Sequence, residues 1–275
     1  MSSQSIAISP CTPHVGAEIG NIDLTRELSD AQIGDLKQAF VKYGVIFFRD
    51  QPLSNEDQMR LAGYFGHVHV HVGGKGTASS PVDGFPAIRR QHFDKNSKRI
   101  SGEVWHSDQS CAEIPPTGSL LIQRILPPDG GGDTLFCSAA AAYDGLSEPM
   151  KTYVDKLTAM HDGAKLFDAV EGKVFPRAEH PIVITHPDTG RKVLFVNPGF
   201  TTHIVGVDRD ESDAILNYLY GHIAKPDWQM RFRWKENSVA FWDNRSTQHY
   251  AIWDYWPNVR SGERVQFEGE ARPAR

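Results

Sequence analysis

A chain of 275 residues, 40% apolar and 23% charged, has the size and composition of an ordinary globular domain with a substantial core. A formal net charge of -5 without a basic stripe argues against a nucleic-acid binder. Cys11, Cys111 and Cys137 share no short spacing, which excludes a disulfide framework or thiolate metal site and suits a reducing cytoplasm.

The amino terminus lacks the basic start and apolar core of a signal peptide, and no apolar run approaches the ~18 residues of a membrane span. A cytoplasmic protein without membrane or nucleic-acid partners is therefore expected.

Ser29 followed by Gln32 is a capping-box pattern. It predicts a helix carrying Ile33, Leu36, Phe40 and Val41 at helical spacing and closing at Gly44. The apolar run Val45-Ile46-Phe47-Phe48 suits a buried strand, and Ser54 caps a second helix running to Phe65. Residues 72–103 contain Gly73-Gly74-Lys75-Gly76 and Ser79-Ser80-Pro81 and read as an irregular, mobile segment, a lid or binding loop.

Beyond Val104 the pattern is mainly strands, at 120–125, 134–137, 182–185, 193–196, 230–234, 239–242 and 265–267. His186-Pro187-Asp188-Thr189-Gly190 reads as a hairpin connection, and a helix follows Asp210. The expected fold is one domain over 1–275, mainly β with peripheral helices, a sandwich or jelly roll.

Trp105-His106-Ser107-Asp108 opens the chemistry. In an extended segment, residues two apart face the same way, so His106 and Asp108 are able to reach one metal. Alone, His-x-Asp is a weak motif. His249, after the apolar strand ending at Trp242, would complete two histidines and a carboxylate, a set that suits iron(II) with open positions for oxygen chemistry. The competing reading of each histidine is a structural side chain in an aromatic core.

An anion-binding set strengthens the metal reading. Gly130-Gly131-Gly132-Asp133-Thr134 ends in a hydroxyl 25 intervening residues after Asp108, and Arg260 follows His249 with ten between. Arg264 lies four further on. An arginine fork binds a carboxylate through two parallel hydrogen bonds, and a threonine hydroxyl adds a third.

This order of residues resembles the taurine dioxygenase family of iron(II)/2-oxoglutarate-dependent oxygenases, which includes alkylsulfatases and aryloxyalkanoate dioxygenases. The likeness extends from Gly16-Ala17-Glu18-Ile19 through Phe47-Phe48-Arg49-Asp50-Gln51 and Phe195-Val196-Asn197 to Trp242-Asp243-Asn244-Arg245. It implies a double-stranded β-helix with iron(II) on His106, Asp108 and His249. It further implies 2-oxoglutarate and O2 as co-substrates, with Thr134 and Arg260 on the distal carboxylate of 2-oxoglutarate. Succinate, carbon dioxide and a hydroxylated substrate would result. Proteins of this kind are commonly dimers or tetramers, so a homo-oligomer is expected.

His67, His69 and His71 alternate and would share one face of a strand, as a separate metal site or with no chemistry. The resemblance offers a third reading. His71 and Arg264 stand where the sulfonate and sulfate members grip the substrate's anionic head. That implies a small anionic organic substrate, an organosulfonate or sulfate ester, with Phe167 and Phe200 as apolar walls. The taurine enzymes carry Tyr and Asn where this chain has Gly74 and Gly102, which predicts a roomier pocket and a substrate bulkier than taurine. The alternatives are a carboxylate substrate such as an aryloxyalkanoate, a non-catalytic jelly-roll binding protein, and a zinc hydrolase.

Overall fold

The computed structural model describes residues 5–71, 79–167, 172, 174–269 and 271–275. Capping starts both early helices. Ser29 accepts from the Gln32 amide while the Gln32 side chain accepts from the Ser29 amide, opening the helix Asp30–Tyr43. Ser54 and Asp57 repeat the exchange for Asn55–Phe65. Each such cap is worth about 1 kcal/mol. The two helices bury Leu36, Phe40, Leu61 and Ala62 against one face of a large sheet, where they meet Phe241 and Phe267.

That sheet has nine strands among the described residues. Its centre runs Val45–Phe48, Val239–Asp243, Gly118–Ile125, Arg260–Phe267 and Phe85–Phe93. Strand side chains alternate between faces. Val239 and Phe241 therefore join the core under the helices, whereas Ala240 and Trp242 join a second core on the opposite face. Both faces are covered, which is why Val45–Phe48 is apolar throughout.

The second core is closed by a three-stranded sheet, Gln229–Phe232, Thr134–Ser138 and Thr247–Ala251. Its Phe136, Phe232 and neighbouring Trp234 meet Val45, Phe47, Leu121 and Trp242 of the large sheet. Phe47 stacks on Phe232 with ring centroids 3.9 Å apart. Two facing layers, antiparallel except where Ala17–Gly20 pairs parallel with Val45–Phe48, with helices outside form the expected double-stranded β-helix.

The segment expected to be irregular departs from that expectation over most of its described length. Ser80–Val82 and Phe85–Phe93 form an antiparallel hairpin on the edge of the large sheet. The strand was hidden because its buried positions include Arg89 and Gln91, whose polar side chains break the apolar alternation. Gly73-Gly74-Lys75-Gly76 lies outside the described residues. The predicted hairpin at 186–190 joins Val183–Thr185 to Lys192–Leu194. No helix among the described residues is long and apolar enough to cross a membrane.

Candidate active site

His106 and His249 are joined by an isolated antiparallel bridge. The His106 amide donates to the His249 carbonyl at 3.1 Å, and the His249 amide donates back at 2.9 Å. Residues exchanging both bonds present their side chains side by side, and the ring centroids here lie 4.1 Å apart. Asp108, two residues on from His106, brings its Oδ1 to 3.7 Å from His106 Nε2 and 3.9 Å from His249 Nε2. All three side chains are buried, and their candidate ligand atoms lie within 4.8 Å of one another.

The donor set fits a metal. His106 Nδ1 donates to the Val104 carbonyl at 2.8 Å, which leaves the Nε2 lone pair facing Asp108. Burial pulls both imidazoles below their ordinary range, so both are neutral donors. Burial alone would raise the Asp108 carboxyl, but the Arg264 guanidinium, helped by the Ser119 hydrogen bond, holds it well below the usual carboxylate range. Two neutral imidazoles and one carboxylate on one side of a cavity are the kind of donor set that suits iron(II).

A buried relay fixes the carboxylate. Ser119 Oγ donates to Asp108 Oδ2 at 2.6 Å and itself accepts from Asn244 Nδ2 at 3.1 Å and Gln266 Nε2 at 2.9 Å. Trp242 Nε1 in turn donates to Asn244 Oδ1 at 3.0 Å. The Trp242-Asp243-Asn244-Arg245 motif thus reaches the metal corner through Ser119. Nothing in the sequence pointed to Ser119, a small polar residue inside an apolar strand.

Two lobes open from this corner. Arg260 and Arg264 are four apart on Arg260–Phe267 and project to the same face. Arg260 and Thr134 line one lobe with both histidines. Thr134 Oγ1 accepts from Trp234 Nε1 at 3.0 Å, and Arg260 Nε donates to the Gly132 carbonyl at 3.0 Å. Gly132 has a φ of +81°, and a Cβ there would lie 2.7 Å from Arg260 Cδ, so the glycine makes room for the arginine.

Arg264, His71, Phe167 and Phe200 line the other lobe with His106 and Asp108. Arg264 Nη1 donates to Asp108 Oδ1 at 2.7 Å. Loss of solvent and the Arg264 charge push the His71 imidazole down to about 3, leaving it neutral. Phe167 lies edge-on to both His71, at 5.5 Å, and Phe200, at 5.4 Å.

The model of the taurine catabolism dioxygenase TauD, TfdA family matches residues 7–266. The chain belongs to that family. An alpha-ketoglutarate-dependent sulfate ester dioxygenase of Pseudomonas putida is 31% identical over 279 residues, covering 96% of this chain and 89% of that protein. The alkylsulfatase of Acinetobacter baylyi is 30% identical over 284 residues, covering 98% of this chain and 86% of that protein. The crystal structure of a taurine dioxygenase from Burkholderia xenovorans is 34% identical, with a TM-score of 0.84 over 97% of this chain and 92% of that one. This protein is accordingly an iron(II)- and 2-oxoglutarate-dependent dioxygenase, an oxidoreductase that also consumes O2.

The structure bears on two readings of the sequence. At Gly102 the backbone leaves no room for the side chain that the taurine enzymes carry. Gly102 has a φ of +83°, and a Cβ there would lie 2.8 Å from His106 Cε1 and 3.5 Å from His106 Nε2. Among the alternatives for the three histidines, the separate metal site is not formed: in the described residues His67, His69 and His71 do not converge on a common centre. His67 is exposed, while His69 Nε2 lies 3.3 Å from Gln109 Oε1. Of the three, His71 faces the cavity. Arg89 and Gln91 line that cavity too, and sequence reasoning missed both. Their i, i+2 spacing was the available signal.

Proposed function

We propose that this dioxygenase hydroxylates the carbon next to the sulfo group of an organosulfonate or sulfate ester. The hydroxylated product would collapse to an aldehyde plus sulfite or sulfate, while 2-oxoglutarate becomes succinate and carbon dioxide. The observation that carries the reading is the lobe in which Arg264 and His71 stand beside the metal corner opposite Phe167 and Phe200. The names of the relatives, a sulfate ester dioxygenase and an alkylsulfatase, support the same substrate class.

His106, Asp108 and His249 would hold iron(II), which when bound supplies oxygen activation coupled to decarboxylation of 2-oxoglutarate. Arg260 and Thr134 would grip the distal carboxylate of that co-substrate through charge-assisted and neutral hydrogen bonds. Arg264 and the neutral His71 would donate to the sulfo oxygens and hold the adjacent carbon toward the metal corner. Phe167 and Phe200 would keep water out, since a misplacement of about 1 Å is enough to lose much of the rate. Three free cysteines support a reducing, cytoplasmic setting.

A carboxylate substrate such as an aryloxyalkanoate is the second reading, since an arginine fork also binds a carboxylate. Product analysis separates the two. Iron-loaded enzyme is incubated with 2-oxoglutarate and a panel of sulfonates, sulfate esters and aryloxyalkanoates. Release of sulfite or sulfate in step with succinate is expected. Release of a phenol from the aryloxyalkanoates, with no sulfite or sulfate from the others, would replace the first reading by the second.

A further inference from the structure

Arg89 lies on the strand Phe85–Phe93, directly opposite Arg264 in the antiparallel register with Arg260–Phe267. Directly opposed residues share a sheet face, with Cβ atoms about 4.5–5.5 Å apart. Both arginines are buried, at 6% and 8% exposure, and both line the lobe that contains His71 and the metal corner. Ser79 steadies the new one. Arg89 Nη2 donates to the Ser79 carbonyl at 2.7 Å and to its Oγ at 3.0 Å, and Nε donates to the same Oγ at 3.3 Å. Both of these Ser79 acceptors are neutral oxygens.

Like charges directly across a sheet repel one another, and burial strengthens the effect by removing the screening solvent. Burial and the Arg264 charge both pull Arg89 below its ordinary value. Asp108 offsets part of the Arg264 charge, and an anion that accepts from both arginines turns the remaining repulsion into attraction. The number of oxygens then decides which anion fits. A carboxylate has two, lying in one plane, and a single guanidinium fork spans them edge to edge. A sulfonate or sulfate has three, enough for a second guanidinium and an imidazole N–H.

We propose that Arg89 is a second anchor for the substrate's anionic head, forming with Arg264 and His71 a cradle for a tetrahedral three-oxygen group and so selecting sulfo groups over carboxylates. The proposal rests on the reading of the Arg264 lobe as the substrate side, and it makes Arg89 a specificity-determining residue.

The test compares wild type, Arg89→Gln and Arg89→Lys, each loaded with Mn(II) and 2-oxoglutarate. Each is titrated calorimetrically with an alkanesulfonate, an alkyl sulfate and an alkanecarboxylate of matched chain length, and KM is measured in parallel with iron. Arg89→Gln is expected to weaken the two sulfo ligands by about 10- to 100-fold and the carboxylate by less than about threefold, the size of a lost charge-assisted hydrogen bond. Unchanged affinities, or equal losses for all three ligands, would overturn the proposal. If Arg89→Gln does not fold, Arg89→Lys keeps the charge and loses the fork, and the same selective loss is expected of it.

The design also separates this proposal from the proposed reaction. Wild-type enzyme that binds the sulfo ligands through Arg89 yet releases no sulfite or sulfate sinks the reaction and leaves the anchor standing. Turnover of sulfo substrates that is indifferent to Arg89 does the reverse. Wild-type enzyme that binds none of the three ligands sinks both.

Discussion

Arg264 donates to the Asp108 oxygen that also lies nearest both imidazoles, with Nη1 2.7 Å from Oδ1. One carboxylate oxygen therefore links the proposed metal ligands to the proposed substrate anchor. The arginine holds the carboxyl in its charged form, and the carboxylate in turn fixes the arginine at the mouth of the lobe.

Removing that cation should shift the acid limit of metal binding. In the wild type the Asp108 carboxyl is depressed, so its ligand charge is lost only as pH falls through that low value. In Arg264→Gln the carboxyl rises, and protonation displaces the metal at higher pH. Mn(II) titrations at falling pH should show the variant losing affinity before the wild type, with KM for the anionic substrate raised about tenfold or more. Superimposable pH profiles would rule this coupling out.

Ser119→Ala removes the 2.6 Å hydrogen bond to Asp108 Oδ2 and leaves Asn244 and Gln266 without their shared acceptor. Outer partners of metal ligands typically contribute about 10- to 100-fold in affinity or activity. A loss of that size in Mn(II) affinity is expected while KM for 2-oxoglutarate holds. A variant with wild-type metal affinity would show that Ser119 only packs.

Gly132→Ala should act on the lobe proposed for 2-oxoglutarate. The added methyl meets Arg260 Cδ at 2.7 Å, and a residue with a side chain at φ +81° is strained by about 1–2 kcal/mol. The variant is expected to melt lower and to show a raised KM for 2-oxoglutarate, as Thr134→Val should, with metal affinity unaffected. Kinetics at varied 2-oxoglutarate concentration, alongside Mn(II) binding, decide it.

Gly102→Asn, which installs the residue of the taurine enzymes, should damage the site and bring no taurine activity. The new Cβ would sit 2.8 Å from His106 Cε1 on a left-handed backbone. Weaker metal binding is the expected result, read by calorimetry. Efficient taurine turnover by this variant would mean that the backbone of the 101–103 segment rearranges freely.

His161 is fully buried, 3.0 Å from Ser110 Oγ and 3.3 Å from Thr201 Oγ1, and burial holds its imidazole well below 6.5. The unfolded chain therefore binds a proton that the folded one refuses, and stability falls as pH drops below about 6.5. Each such histidine contributes up to about 1.4 kcal/mol per pH unit. Melting curves at falling pH should be less pH-dependent for His161→Gln than for wild type. An identical slope would place the acid sensitivity elsewhere.

Much of this dioxygenase could be read from local spacing. Ser29 with Gln32 and Ser54 with Asp57 cap the helices that follow them, and Val45–Phe48 is the buried strand its composition suggests. The strand Phe85–Phe93 was missed because a pocket wall needs polar side chains facing inward, and this inverts the usual pattern of a half-buried strand.

The sequence by itself determined the groups that repeat over short distances. His106 with Asp108, and Arg260 with Arg264, lie on common faces because two and four residues span whole periods of an extended chain. Only the tertiary structure decided that His249 bridges to His106, that Ser119 holds Asp108, that His106 leaves no room for a side chain at position 102 and that Arg89 opposes Arg264. Those relationships depend on strand register between distant segments, and a slip of one residue would turn each side chain to the other face.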